Sequence, residues 1–207
     1  MSVATILAEL EKLGCDNDRI QNDKSKRYLN ITHDTGVFLA WLVNAVQAKT
    51  VLEVGTSNGY STLWLASSVT QTAGHVYTIE RDRTKAKEAA ANFDRAGLQS
   101  RITLLVDEAF SALSRVPAPV DLIFLDADRS AYLDMAPRLY ELLKAGGVLV
   151  CDNALSHADE LADFVNWVQS QAQLSSCLIP VGKGELLIYK APADPDRHDY
   201  AASASKS

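Results

Sequence analysis

Cysteine is scarce in this chain: Cys15, Cys151 and Cys177 are the only three in 207 residues, and they lie far apart. An odd, scattered set excludes a disulfide framework and offers no zinc-ligand spacing, so each is expected to be a small buried apolar residue. Long apolar runs are missing as well, and none approaches the roughly 20 residues that span a bilayer. Met1 to Leu13 carries Glu9, Glu11 and Lys12 among its apolar residues, so it lacks the continuous core of a signal peptide. A cytoplasmic protein away from membranes is the expectation. No lysine/arginine stripe exists either. With 20 basic against 26 acidic residues the net charge is -6 and the pI is near 5.2. That balance makes a nucleic-acid partner unlikely to be held by a basic surface.

What remains is an ordinary globular composition, 47% hydrophobic and 22% charged, long enough for one full core. The chain is organised around Thr50 to Leu65, TVLEVGTSNGYSTLWL. A short apolar run leads to Gly55 and Gly59, and a helical apolar pattern follows. Strand, glycine turn and helix start are the usual seat for a cofactor at the end of a parallel strand. The spacing is Glu-x-Gly-x-x-x-Gly, not the three-glycine pattern of dinucleotide sites. Glu53 before the turn would repel phosphates and suit a cation, so the stretch favours S-adenosylmethionine, with its sulfonium and ammonium, over a nicotinamide cofactor.

The periodicity predicts helices over residues 3–13, ending at Gly14, and over 35–46, 82–95, 109–116, 132–143 and 158–171, with residues 16–28 a loop or loose helix. Strands are predicted over 51–54, 75–80, 101–107, 120–126, 148–151, 177–181 and 186–189, the last two joined by Gly182-Lys183-Gly184. Five βα units and a hairpin imply an α/β protein. Its expected architecture is a Rossmann-like, doubly wound, mostly parallel seven-stranded sheet with an antiparallel C-terminal hairpin strand. Residues 1–190 read as one domain with an N-terminal helical extension over 1–27, and 191–207 as a disordered tail. Trp41 and Trp64 sit in apolar helical patterns and are expected in the core.

Ligands of such sheets sit at the carboxyl ends of the strands. Glu80 ends the second strand, 25 residues past Gly55, where a carboxylate can accept from two ribose hydroxyls. The alternative is a carboxylate that caps the next helix. Asp126, Asp152 and Asn153 end two strands expected to be neighbours. Three oxygen donors without Cys or His describe a hard cation, Mg²⁺ before Ca²⁺ or Mn²⁺, unless Asp152-Asn153 only caps a helix. His33 and His157 are loop histidines that could approach an acceptor or merely cap.

Residues 28–190 resemble the metal-dependent class I S-adenosylmethionine O-methyltransferases, the group of catechol and caffeoyl-CoA O-methyltransferases and their bacterial relatives. The matching pieces are VLEVGTSNGYST, VYTIERD, DLIFLDADRSAY, GGVLVCDN and IPVGKGELL. The resemblance implies that Glu53, Gly55, Thr56 and Ser61 line the methionine end of the cofactor, with Asp126 also beside it. It implies that Glu80 holds the ribose, that Glu108 and Ala109 flank the adenine, and that Asp126, Asp152 and Asn153 bind the divalent cation. A hydroxylated small molecule would be the acceptor, and a homodimer the assembly. One position departs from the pattern: Arg129 stands where the family carries a lysine read as general base, and arginine cannot give up its proton. Arg129 and Asp126 are therefore the candidate catalytic pair, with four readings open for Arg129. It stabilises a phenolate while metal or water takes the proton; or Asp128 is the base; or the substrate is already an anion; or Arg129 pairs with Asp128 or Asp134 and faces away. The segment after Asn153 is short where plant relatives carry an insertion, so a more open acceptor site is expected. The rival functions are a tRNA nucleoside O-methyltransferase of the same fold and a cofactor-binding protein with little turnover.

Overall fold

The computed structural model describes residues 2–193. Seven strands form one sheet: β1 (Thr50–Val54), β2 (His75–Glu80), β3 (Ile102–Val106), β4 (Val120–Leu125), β5 (Leu143–Cys151), β6 (Leu174–Ile179) and β7 (Glu185–Lys190). Their order is β3-β2-β1-β4-β5-β7-β6. β1 to β5 pair in parallel, whereas β7 runs antiparallel to both β5 and β6. The helices are α1 (Val3–Ile20), α2 (His33–Ala45), α3 (Tyr60–Val69), α4 (Arg83–Arg95), α5 (Ala109–Ala112), α6 (Tyr132–Leu142) and α7 (Ala158–Ser170).

Strand alternation divides the core into two layers, because successive side chains point to opposite faces. Val51, Leu122, Phe124 and Val150 face the layer built with α1 to α4. Leu52, Val54, Ile123 and Leu125 face the layer built with α5 to α7. The central strands β1 and β4 are buried on both faces and are accordingly apolar throughout, apart from Thr50, Asp121 and Glu53.

Several expected boundaries move. α1 does not stop at Gly14 but runs to Ile20. Gly14 is a packing glycine: a Cβ there would meet the side chain of Asn30, whose amide donates to the Leu10 carbonyl at 3.0 Å. β5 begins at Leu143, so Gly146-Gly147 lies within the strand at an irregularity in its pairing with β4. β6 begins at Leu174 because its register is set by β7, not by an apolar pattern of its own. Cys151 is buried as expected, but Cys15 and Cys177 are exposed. Trp41 is also no core residue: it is 64% exposed, on the outer face of α2, stacked against Phe38. Trp64 does pack against the core. Ala191 is buried and donates its N–H to Gln173 O at 2.8 Å, so the first residue of the expected tail is anchored to the fold. Residues 194–207 of that tail lie outside the described residues.

Candidate active site

The strand order reverses between β1 and β4, where helices leave the sheet on opposite faces and a crevice opens at the carboxyl ends. Ladder hydrogen bonds continue past the strand tips and set three consecutive rows. Gly55 N and Thr56 N donate to Ile79 O at 3.1 and 3.2 Å, Asp126 N to Val54 O at 3.0 Å, and Asp152 N to Leu125 O at 3.0 Å. The cavity above these rows has a volume of about 610 Å³.

One end of the cavity is built on β1, β2 and the loop after β3. Gly55 has φ +108°, and a Cβ there would run into the Asp126 carbonyl, so the close passage of the β1 and β4 tips requires glycine. Gly55, Thr56, Ser61, Glu80, Glu108 and Ala109 all line this end. Glu80 accepts from Ser57 N through one oxygen and from Asp82 N through the other, both at 2.8 Å. Each oxygen keeps a second lone pair. The carboxylate thus fastens the turn and stays available to a ligand.

Glu53, which the resemblance implies at the methionine end of the cofactor, is not among the residues that line the cavity. It is wholly buried beneath the turn. Ser61 Oγ and Thr78 Oγ1 each donate to it at 2.6 Å, and Thr62 Oγ1 donates as well. Burial nevertheless lifts its pKa to about 7. Its contact with the cavity runs through Ser61, which does line it. Residues 24–31, of which 24–28 fall in the expected loop or loose helix, add a wall. Ser57 Oγ donates to Tyr28 O at 2.8 Å, Lys85 Nζ to Arg27 O at 2.7 Å, and Tyr28 Oη to Glu88 at 2.8 Å.

The other end is built on the tips of β4 and β5. Asp126, Asp152 and Asn153 do come together. The Asn153 amide donates to Asp152 Oδ2 at 2.8 Å and to Asp126 Oδ1 at 3.3 Å. Asn153 has φ +64°, which its short polar side chain tolerates, and it reaches the wall while Asp152 sits behind it. Asp126 is pushed well above the usual carboxylate range, first by burial, then by the charges of Asp152 and Glu53. Among the described residues no cluster of three or more His, Cys, Asp or Glu is placed to hold a metal. The set here is two carboxylates and an amide, the hard-oxygen chemistry expected of a Mg²⁺ site.

The structure removes one of the four readings of Arg129. It pairs with neither Asp128 nor Asp134: Nε donates to Glu160 on α7 at 2.7 Å. Asp128 accepts from the Ser130 N–H and hydroxyl, and those bonds hold its carboxyl below the ordinary value, so it is a poor base near neutrality. Tyr132 is a buried positioning group. Its hydroxyl accepts from Ala127 N at 2.8 Å and fixes the segment after Asp126. His157 lines the cavity, whereas His33 packs against Trp64 away from it.

Sequence reasoning missed Glu185. It is fully buried at the start of β7, where Thr35 Oγ1 donates to one oxygen at 2.9 Å and the other oxygen has no hydrogen-bond partner among the described residues. Burial and the neighbouring Asp152 push its pKa to about 9. The only signal in the chain was one acid opening an otherwise apolar strand. Lys183 and Glu160 were missed too, because residues on a hairpin turn and an exposed helix carry no pattern of their own.

The chain matches, over residues 4–190, the family model described as O-methyltransferase. A catechol O-methyltransferase of Mycobacterium tuberculosis is 37% identical over 137 residues, 64% of this chain and 60% of that one. A caffeoyl-CoA O-methyltransferase of Stellaria longipes is 31% identical over 172 residues, 72% of this chain and 71% of that one. The chain spans about three fifths of the length of the catechol O-methyltransferases it matches. Among solved structures, cofactor-bound Rv0187 from MTB has a TM-score of 0.76 at 28% identity, over 89% of this chain and 90% of that one. With the family model spanning both halves of the cavity, the chain belongs to the O-methyltransferase family.

Proposed function

We propose that the chain moves a methyl group from S-adenosylmethionine to a hydroxyl of a small catecholic or phenolic acceptor. A divalent cation, Mg²⁺ foremost, would be held by Asp126, Asp152 and Asn153. The observation that carries this reading is one cavity with two chemically different ends. The glycine turn, Glu80 and Glu108 form a seat for a nucleoside with a cationic tail. Asp126 and Asn153 line the same space at the tips of β4 and β5. The names of the catechol and caffeoyl-CoA O-methyltransferase relatives support the acceptor class.

The residues fit a cation on their own terms. Buried Asp152 and half-buried Asp126 both accept from the Asn153 amide, and the positive charges of Lys183 and Arg129 relieve Asp126 only in part. Such a pair is stabilised by a bound positive ion. When bound, the cation supplies Lewis acidity and favours the deprotonated acceptor oxygen. Arg129 stays protonated and contributes charge stabilisation, not proton removal. Asp128 is held in its ionised form by Ser130, which makes it a weak proton acceptor. Val54, Ile79 and Met135 contribute apolar wall. Transfer cancels the acceptor's negative charge against the sulfonium, and a site poor in water favours that loss of charge.

The test is turnover on a panel of catechols, phenols and hydroxylated small molecules, with and without EDTA and added Mg²⁺. Methylation that EDTA abolishes and Mg²⁺ restores is the expected result. Asp152→Ala should lose turnover yet bind cofactor in calorimetry. Cofactor binding without methylation of any acceptor would overturn the reading, as would methyl incorporation confined to bulk tRNA.

A further inference from the structure

The acceptor end of the cavity holds an arginine that is bound to an easily displaced partner. Arg129 sits in the turn directly after β4, and its side chain is only 10% exposed. Its partner, Glu160, lies in the first turn of α7 with its side chain 54% exposed. Both residues line the cavity, together with Lys24, His157 and Lys183. The ion pair uses the guanidinium incompletely. Nε donates to one Glu160 oxygen at 2.7 Å, and neither Nη group donates to any described residue. A guanidinium offers five N–H groups in a planar fork that matches a carboxylate through two parallel bonds. A lysine at this position could not present that fork.

The two partners also differ in what they lose on separation. Glu160 is on the surface of a helix and regains water when it swings out, so the exposed half of the pair is released at small cost. Arg129 is nearly enclosed and needs an anion in its place. The charges around Glu160 favour an anion at that position: Arg129 contributes most, and His157 and Lys24 add to it. Asp128 is the nearest acid in sequence, and its Oδ1 is engaged by Ser130.

We propose that Arg129 is the specificity-determining residue of the acceptor site and selects hydroxylated aromatic acceptors that carry a carboxylate, with Glu160 as an internal occupant that the ligand's carboxylate displaces. The inference rests on the proposed methyl-transfer reading for the location of the acceptor. It differs from the charge-stabilising role given to Arg129 above in concerning a second group on the acceptor, remote from the reacting oxygen. The ligand carboxylate pairs with the guanidinium while the hydroxyls lie toward Asp126 and Asn153.

The experiment compares two probes that differ by one carboxylate, 3,4-dihydroxybenzoate and catechol. Their binding is measured by calorimetry with S-adenosylhomocysteine and Mg²⁺ present, and their turnover with S-adenosylmethionine. The wild-type chain is expected to bind the carboxylated probe more tightly. Glu160→Gln removes the competing charge with little change of shape, so the preference should widen by about three- to tenfold. Arg129→Lys removes the fork and keeps the charge, so the preference should shrink by about tenfold. A preference that neither substitution moves, with catechol methylated by the wild-type chain, overturns this inference and leaves the methyl-transfer reading standing. A preference that shifts as described, with neither probe nor any acceptor of the wider panel methylated by the wild-type chain, retains the carboxylate site and overturns the methyl-transfer reading.

Discussion

Glu53→Gln tests the electrostatics of the buried turn. The carboxyl of Glu53 is fully enclosed, and burial raises its pKa from 4.5 to about 7, against the lowering effect of three hydroxyl donors. Between those values the native state keeps a proton that the unfolded chain has released. The unfolded state therefore binds fewer protons, and stability falls as pH rises from about 4.5 to about 7, then stays at the lower level. Each pKa unit corresponds to about 1.4 kcal/mol, so the full difference is on the order of 3 kcal/mol. Glutamine keeps the shape and carries no charge at any pH. Urea unfolding of both proteins at pH 5 and pH 8 isolates the effect, because all other titrating groups are common to the two. The variant's stability relative to wild type should rise by about 2 to 3 kcal/mol between pH 5 and pH 8. A difference that stays constant over this range would refute the reasoning, since it would mean that Glu53 is already ionised in the native protein at pH 5.

Gly55→Ala should destabilise the fold by more than about 1 kcal/mol and weaken S-adenosylmethionine binding in calorimetry, because the new Cβ meets the Asp126 carbonyl at a positive φ. Tyr132→Phe leaves the Ala127 N–H without its buried acceptor and should cost about 1–3 kcal/mol in urea unfolding, with slower turnover as the segment after Asp126 loosens. Trp41→Ser should change stability by no more than about 0.5 kcal/mol, since that ring lies on the surface. An equal loss from Trp41→Ser and Tyr132→Phe in the same unfolding assay would contradict the burial assigned to both.

Local pattern accounts for most of the fold. The apolar runs at β1 and β4 announce strands buried on both faces, and the helical spacing in Arg83–Arg95 and Ala158–Ser170 marks helices with one apolar side. His75–Glu80 was legible to the residue, because Gly74 breaks the chain before it and an acid follows its last apolar side chain. The edge strand β6 was misplaced: it is largely exposed, so its position depends on pairing with β7 and leaves no hydrophobic signature. Cys15, Cys177 and Trp41 failed for a related reason. Hydrophobic character predicts burial on average, yet which helix or strand face meets another layer is settled by packing.

By itself the sequence determined the order of strands and helices, the glycine turn at Gly55, and the placing of Glu80, Asp126, Asp152 and Asn153 at strand ends. Each of these follows from side-chain alternation and backbone freedom within a few residues. The tertiary structure alone decided that Glu53 lies beneath the cavity wall, that Glu185 is buried beside Asp152, and that Arg129 meets Glu160. Those contacts join residues far apart in the chain, and burial, which sets the proton affinity of each acid, exists only once the layers have closed over them.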